Sequence, residues 1–295
     1  MELSTSTNIC AFQRGRERLP VAFCIETCAR AGYRVLDINF CMAMNPDSPL
    51  RGEGWSAYVD GIGELAAKWG VRFSQSHLPY YDVGRDRDTQ RGRLMEKLIS
   101  RCIEGSARLG ARWAVTHPFT VYGAGAEVCL RENLAYYRPH VEHAARLGVG
   151  VALENDFGVQ PERPELPIYC ADIGELCELR DAFAAPEAVG VCYDFGHANL
   201  TGGAHRQNLN RIGKRLKAVH VQDNHGERDE HLLPFFGSID WRDAMAGLAD
   251  IGFAGDLTFE IQEYGRYLPR ELKYLAVEQS LIVGEKLLSY VRGAT

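Results

Sequence analysis

The sequence predicts an α/β chain folded as a single (β/α)8 barrel spanning residues 1–295. Three observations carry that prediction. Short apolar runs alternate with amphipathic helical segments from end to end, the pattern of a parallel sheet with crossover helices. Eight strand–helix pairs can be read within 295 residues, about the length of one barrel. The first strand–helix junction, ICAFQRG, carries neither GxGxxG nor GxxxxGK, whereas an open doubly wound sheet would usually show a glycine-rich phosphate loop there.

The elements follow in order. The first strand is placed at 3–9 and the first helix at 20–31, stopped by Gly32. A strand at 34–38 leads into a Pro- and Gly-rich loop, 41–55. Ser56 is placed as the cap of a helix through Trp69, whose buried stripe is Val59, Ile62, Leu65, Ala66 and Trp69. The third strand is 71–76, followed by a polar loop at 80–88 and a helix at 89–109. A strand at 112–116 precedes a helix at 129–147, ended by Gly148. The fifth strand is 149–153, and the stretch 157–168, with three prolines, reads as a loop. A helix at 172–184, a strand at 189–193, a short helix at 203–213 and a strand at 216–221 come next. A polar loop, 222–237, leads to Ser238 as the cap of a helix at 239–250. The last strand is 255–259 and the last helix 269–290.

Composition narrows the class. Apolar residues make up 46% and charged residues 24%, which fits a globular core and excludes a disordered chain. A net charge of −6 argues against a nucleic-acid backbone as the main partner, because such partners select a basic face. The nine cysteines are dispersed and odd in number, with no CxxC pair, which suits a reducing cytoplasm better than a disulfide framework. Cys24 and Cys28 read as buried small residues. The N-terminus reads as a strand rather than a signal peptide, and no stretch has the length to span a bilayer. The expectation is a cytoplasmic protein with no membrane partner; homo-oligomerisation is left open.

Metal-capable residues recur at the expected C-terminal ends of the strands: His77, His117, Glu154, Asp194, His220 and Glu260. In a barrel these ends converge on one mouth, where active sites are built. Glu154, Asp194, His220 and Glu260 supply three carboxylates and one imidazole, a set suited to Mn, Mg or Co that also admits Zn. No comparable set of lysines and arginines accompanies them, and buried unpaired carboxylates are costly without a cation. His197, in YDFGHANL, and Asp229 with His231, in ERDEHLLPF, extend the candidate ligands, as do His77 and His117. His140, His143 and His205 are placed on helix surfaces, and His225 in a solvated loop.

This arrangement suggests a reaction. A divalent ion held at the mouth would acidify the C–H beside a substrate carbonyl and stabilise an enediolate. Glu154 and Glu260 could then remove and return the proton. Return to the same carbon with inversion is epimerisation; return to the neighbouring carbon is isomerisation. Arg228 is a candidate to orient a substrate oxygen or a phosphate. The 41–55 loop with Trp55 is a candidate lid, and Phe12 and Phe40 are candidate apolar walls.

The segments SQSHLPY, ALEND, YDFGHANL, VHVQDN, DEHLLPFFGSIDW and TFEI, in that order, resemble the xylose-isomerase-like TIM-barrel superfamily, in particular its sugar phosphate isomerase/epimerase proteins. The resemblance covers essentially the whole chain. In the ketose 3-epimerase branch it implies one Mn-like ion on Glu154, Asp194, His220 and Glu260. There the two glutamates act as base and acid, and His197 touches substrate oxygens. Arg228 matches that branch's substrate-binding arginine loosely, because its spacing from His220 differs. A second branch, the apurinic-site endonucleases, implies three zinc ions on His77, His117, Glu154, Asp194, His197, His220, Asp229, His231 and Glu260. All nine residue types are present. The expected activity is a metal-dependent isomerase or epimerase of a small carbohydrate, either a sugar, a sugar phosphate or a related keto-polyol. The alternatives are a metal-dependent phosphodiester hydrolase, and a lyase or dehydratase acting on a keto-sugar or inosose.

Overall fold

Most strands of this chain are buried on both sides, and their alternation shows which residues face inward. The computed structural model describes residues 1–13, 18–160 and 163–293. Its strands are β1 (Leu3–Ser6), β2 (Val35–Asn39), β3 (Arg72–His77), β4 (Trp113–Thr116), β5 (Gly150–Glu154), β6 (Val159–Gln160), β7 (Arg163–Pro167), β8 (Val189–Asp194), β9 (Leu216–His220) and β10 (Leu257–Phe259). Eight of them form one sheet in the order β10-β1-β2-β3-β4-β5-β8-β9, and every paired neighbour is parallel. Val221, just beyond β9, closes the ring. Its amide donates to the Thr258 carbonyl at 2.8 Å, and its own carbonyl accepts from the Glu260 amide at 3.0 Å. The expected (β/α)8 barrel is therefore what the chain forms.

Two hydrophobic clusters divide the barrel. Leu36, Ile38, Ala114, Val151, Leu153, Val191, Tyr193, Val219 and Phe259 belong to the large outer core under the helices. Trp113, Val115, Ala152, Cys192 and Ala218 form a separate small cluster. Because successive strand residues point to opposite faces, the second set fills the barrel interior. Trp113 is the largest side chain of that cluster. A Cβ at Gly150 would stand 2.2 Å from its ring, so only glycine fits there. Glu154, Asp194 and His220 continue the inward-facing positions and arrive at the C-terminal mouth.

The helices are α1 (Val21–Ala31), α2 (Trp55–Lys68), α3 (Val83–Asp86), α4 (Gln90–Arg108), α5 (Ala126–Arg146), α6 (Ile173–Ala182), α7 (Phe195–Leu200), α8 (His205–Ile212), α9 (Trp241–Asp250) and α10 (Lys273–Gly293). Gly32, Gly70 and Gly148 end or follow helices at φ of +124°, +65° and +77°, as their stop role requires.

Several boundaries differ from expectation. The first strand ends at Ser6, where a 3-10 turn over Thr7–Cys10 takes over. Ser56 does not cap α2, which begins one residue earlier behind Gly54. Ser238 does not cap α9; Asp240 does, accepting from the amides of Arg242 and Asp243. The loop 157–168 contains the antiparallel hairpin β6–β7, with Pro164 and Pro167 on its exposed second strand; Pro161 lies outside the described residues. The 41–55 loop is wound into 3-10 turns at Phe40–Met44 and Pro49–Arg51.

Candidate metal centre

Each site residue is placed by the strand end that carries it. His77 closes β3, and its Nδ1 is held by the Leu78 carbonyl at 2.9 Å and the Cys41 thiol at 3.4 Å. That leaves Nε2 directed at Glu154 Oε2, 3.4 Å away. His117 follows β4 and brings its Nε2 to 3.3 Å from the same oxygen; the Tyr137 hydroxyl donates to its carbonyl. The other Glu154 oxygen, Oε1, lies 2.7 Å from His220 Nδ1. Glu154 thus spends one oxygen on the His77–His117 side and the other on the His220 side.

Asp194 ends β8 and caps α7. Its Oδ1 accepts from the His197 amide at 2.7 Å and from Gln222 Nε2 at 3.2 Å. The cap turns His197 back over the mouth, where its Nδ1 contacts the Asn155 carbonyl at 2.9 Å. Asp229 and His231 come from the long loop after β9. That loop is organised by buried Asp223, whose carboxylate accepts from the amides of Asn224, Phe235 and Ile239 and from the Trp241 indole. His231 sits at φ +45°, a left-handed conformation uncommon outside glycine, with Nδ1 2.8 Å from the Glu260 carbonyl and Nε2 2.8 Å from Asp229 Oδ2. Glu260 follows β10. Its Oε1 accepts from Asn8 Nδ2 at 3.3 Å and its Oε2 stands 3.5 Å from His220 Nδ1.

All nine expected ligands converge. They fall into three groups with the spacing of metal sites: His77, His117 and Glu154; Glu154, Asp194, His220 and Glu260, which shares Glu154 with the first; and His197, Asp229 and His231. Two features show that the central group fits a cation. Glu154 and Asp194 are fully buried, and Glu154 Oε2 and Asp194 Oδ2 have no hydrogen-bond partner. The two histidines near Glu154 Oε2 are within ion-pair distance, yet not in hydrogen-bonding geometry. Bare carboxylate oxygens at this depth are costly, and a divalent ion supplies the missing partner.

Protonation follows the same crowding. Burial pushes the Asp194 carboxyl up to about 6, helped by Glu154 and Asp229 and opposed by His197. Burial drives His117 down to about 3 despite Glu154, so it is a neutral imidazole, the ligand form. Burial also pulls on His231, but Asp229 and Glu260 outweigh it and lift this ring to about 9.

Above the centre opens a cavity of ≈ 1430 Å³, lined by His77, His117, His197, Asp229, His231 and Glu260 at its base. Glu154, Asp194 and His220 lie beneath that surface. Arg228 is not brought to it: its side chain is 80% exposed and its guanidinium is 3.7 Å from Glu230. Trp55 packs against Arg101 and Arg108 instead of covering the mouth, whereas Met42, Met44 and Pro46–Pro49 of the same loop do line the cavity. Phe12 is a wall, as expected; Phe40 is fully buried core. His205 is buried on Tyr193, not on a helix surface. Asn8, Asn155, Gln222 and Asp223, which the sequence reading passed over, hold the ligands in place. VQDN directly follows His220 and offered the only signal for two of them.

A family model described as Xylose isomerase-like TIM barrel matches residues 25–278, and the chain belongs to that family. An uncharacterized protein of Sinorhizobium fredii is 31% identical over 221 residues, 73% of this chain and 67% of its own. Fructoselysine 3-epimerase of Shigella flexneri is 22% identical over 91% of this chain and 95% of its own. A probable endonuclease 4 of Shouchella clausii is 26% identical over 52% of this chain and 53% of its own. Among solved structures, a D-tagatose 3-epimerase-like protein superposes with a TM-score of 0.74 at 21% identity, covering 99% of each chain. A zinc-bound IOLI protein superposes with a TM-score of 0.75 at 18% identity, covering 97% of this chain and 99% of that one. The two superpositions show a shared fold. No helix among the described residues is long and apolar enough to cross a membrane.

Proposed function

We propose that this protein is a divalent-metal-dependent epimerase or isomerase of an uncharged keto-sugar or related polyol. One observation carries the choice of substrate. Among the described residues of the cavity wall, Arg18 is the only lysine or arginine, while Asp47, Asp82 and Asp156 face the same space. With carboxylates outnumbering that arginine among the described residues, the wall suits a neutral polyol, whose hydroxyls can meet carboxylates, asparagines and tyrosines. The likeness to fructoselysine 3-epimerase over most of both chains supports the same reading.

A divalent ion held by Glu154, Asp194, His220 and Glu260 would supply Lewis acidity to a substrate carbonyl. The remaining roles belong to the chain. Glu260 is the one of the two glutamates that reaches the cavity, so it takes the proton from carbon. Asn8 steadies it through Oε1. Glu154, with Oε1 against His220 and a bare Oε2 beside His77 and His117, first holds the centre together and serves as the second acid–base group from below. His197 lines the cavity and meets a substrate oxygen.

The test is proton exchange. Metal-loaded protein is incubated with free ketoses in deuterated water, and exchange at the carbon beside the carbonyl is followed by NMR. Glu260→Gln should lower the rate by ~10²–10⁴-fold. Absence of exchange across the ketoses would refute the reading, and a product lighter by one water would move it to the lyase alternative. A second reading, phosphodiester hydrolysis, is favoured by the convergence of all three ligand groups. It requires three ions per chain and incision of an abasic-site duplex.

A further inference from the structure

We propose that Asp37 is a positioning residue of this centre: it fixes the imidazole of His220 with its proton on Nε2, so that Nδ1 faces the ion-holding carboxylates with a free lone pair. The inference rests on the reading that His220 holds a divalent ion. Asp37 lies mid-strand in β2, between Leu36 and Ile38 of the outer core, so its carboxylate projects into the barrel interior. It is 0% exposed there. Gln75, on the neighbouring strand β3, donates Nε2 to Asp37 Oδ2 at 2.9 Å. Oδ1 has no hydrogen-bond partner. Among the described residues, the ion-pair contact of Asp37 is His220, whose Nε2 stands 3.8 Å from Oδ2.

His220 is polarised between two layers. Nδ1 looks outward, 2.7 Å from Glu154 Oε1 and 3.5 Å from Glu260 Oε2. Nε2 looks inward and is itself without a hydrogen-bond partner. The 3.8 Å gap exceeds a hydrogen bond, and that nitrogen has no hydrogen-bond partner, although the Cys192 thiol also lies beside the ring. A fully buried carboxylate with one hydrogen bond is costly unless it meets a proton-bearing partner. A carboxylate behind a ligating imidazole selects the tautomer, orients the ring and makes the ligand more basic. Asp37 has the burial and the side of the ring for that role, with Oδ2, which also accepts from Gln75, toward Nε2.

Metal is stripped from the whole protein with a chelator, and Zn²⁺ or Mn²⁺ is titrated back by calorimetry into wild type and Asp37→Asn. Asparagine has the same shape and can keep an oxygen toward both Gln75 and His220 Nε2, but it removes the negative charge that makes the imidazole more basic. The expected result is affinity for the most affected ion lowered ~10–100-fold, with an unchanged circular-dichroism spectrum. A second measurement needs no variant. In the zinc-loaded wild type, the Nε2 proton of His220 should be shifted downfield and protected from solvent exchange in histidine-selective NMR. Wild-type affinity in D37N, or an Nε2 proton with the shift and exchange of a free imidazole, would overturn the inference while leaving the metal reading intact. Failure of wild type to bind either ion would overturn both.

Discussion

Asp194→Asn should make the metal-free protein more stable while abolishing its stabilisation by metal. The Asp194 carboxylate is fully buried, its Oδ2 has no partner, and burial first, then Glu154 and Asp229, push its pKa from 3.8 to about 6. The folded chain therefore holds this proton more tightly than the unfolded chain does. Stability contributed by the group is greatest below the unfolded value and is lost as pH rises from about 4 to about 6. At pH 7 the ionised group costs the metal-free fold ~3 kcal/mol. Asparagine can keep the acceptor for the His197 amide and carries no charge, so it escapes that cost. At about 2–4 °C per kcal/mol for a large domain, metal-free D194N should melt up to ~10 °C above metal-free wild type at pH 7. The difference should vanish near pH 4. With metal restored the order reverses, because only wild type keeps the complete ligand group. Thermal melts in chelator and in excess Mn²⁺, at pH 4, 5.5 and 7, measure all three outcomes. If metal-free D194N melts below wild type at pH 7, the carboxylate is not a strained group awaiting a cation, and the argument from bare oxygens fails.

Three further outcomes follow from particular contacts. His231→Ala should leave the metal content unchanged by elemental analysis, because His231 stands with His197 and Asp229, apart from the group that holds the proposed ion; loss of one equivalent per chain would make it a ligand of a further ion and favour the hydrolase reading. Gly150→Ala should destabilise the barrel by ~1–3 kcal/mol, read from denaturant melts, because the new Cβ would stand 2.2 Å from the Trp113 ring; a silent substitution would mean the floor is looser than its packing implies. Arg228→Ala should leave kcat/KM within about twofold of wild type, since a surface pair contributes little and the side chain is 80% exposed away from the cavity; a tenfold loss would bring Arg228 back to the substrate.

The barrel was legible in the sequence because strand–helix alternation is a local pattern. The ligand set was legible for a related reason: in a barrel every strand's C-terminal end faces the same mouth, so strand-end positions in sequence become neighbours in space. That rule brought His77, His117, Glu154, Asp194, His220 and Glu260 together without knowledge of any distance. It did not reach Asp37, Asn8 or Gln75. Inside a strand, an inward carboxylate and a surface one have the same local sequence, and only strand register shows that Asp37 lies under His220. Nor did it place Arg228, because the course of a long loop is set by nonlocal bonds, here those of Asp223 to Phe235, Ile239 and Trp241. By itself the sequence determined the fold and the residue types at the mouth. The tertiary structure decided which oxygens stand bare and which glutamate reaches the cavity. Those properties depend on burial and on contacts between residues far apart in the chain.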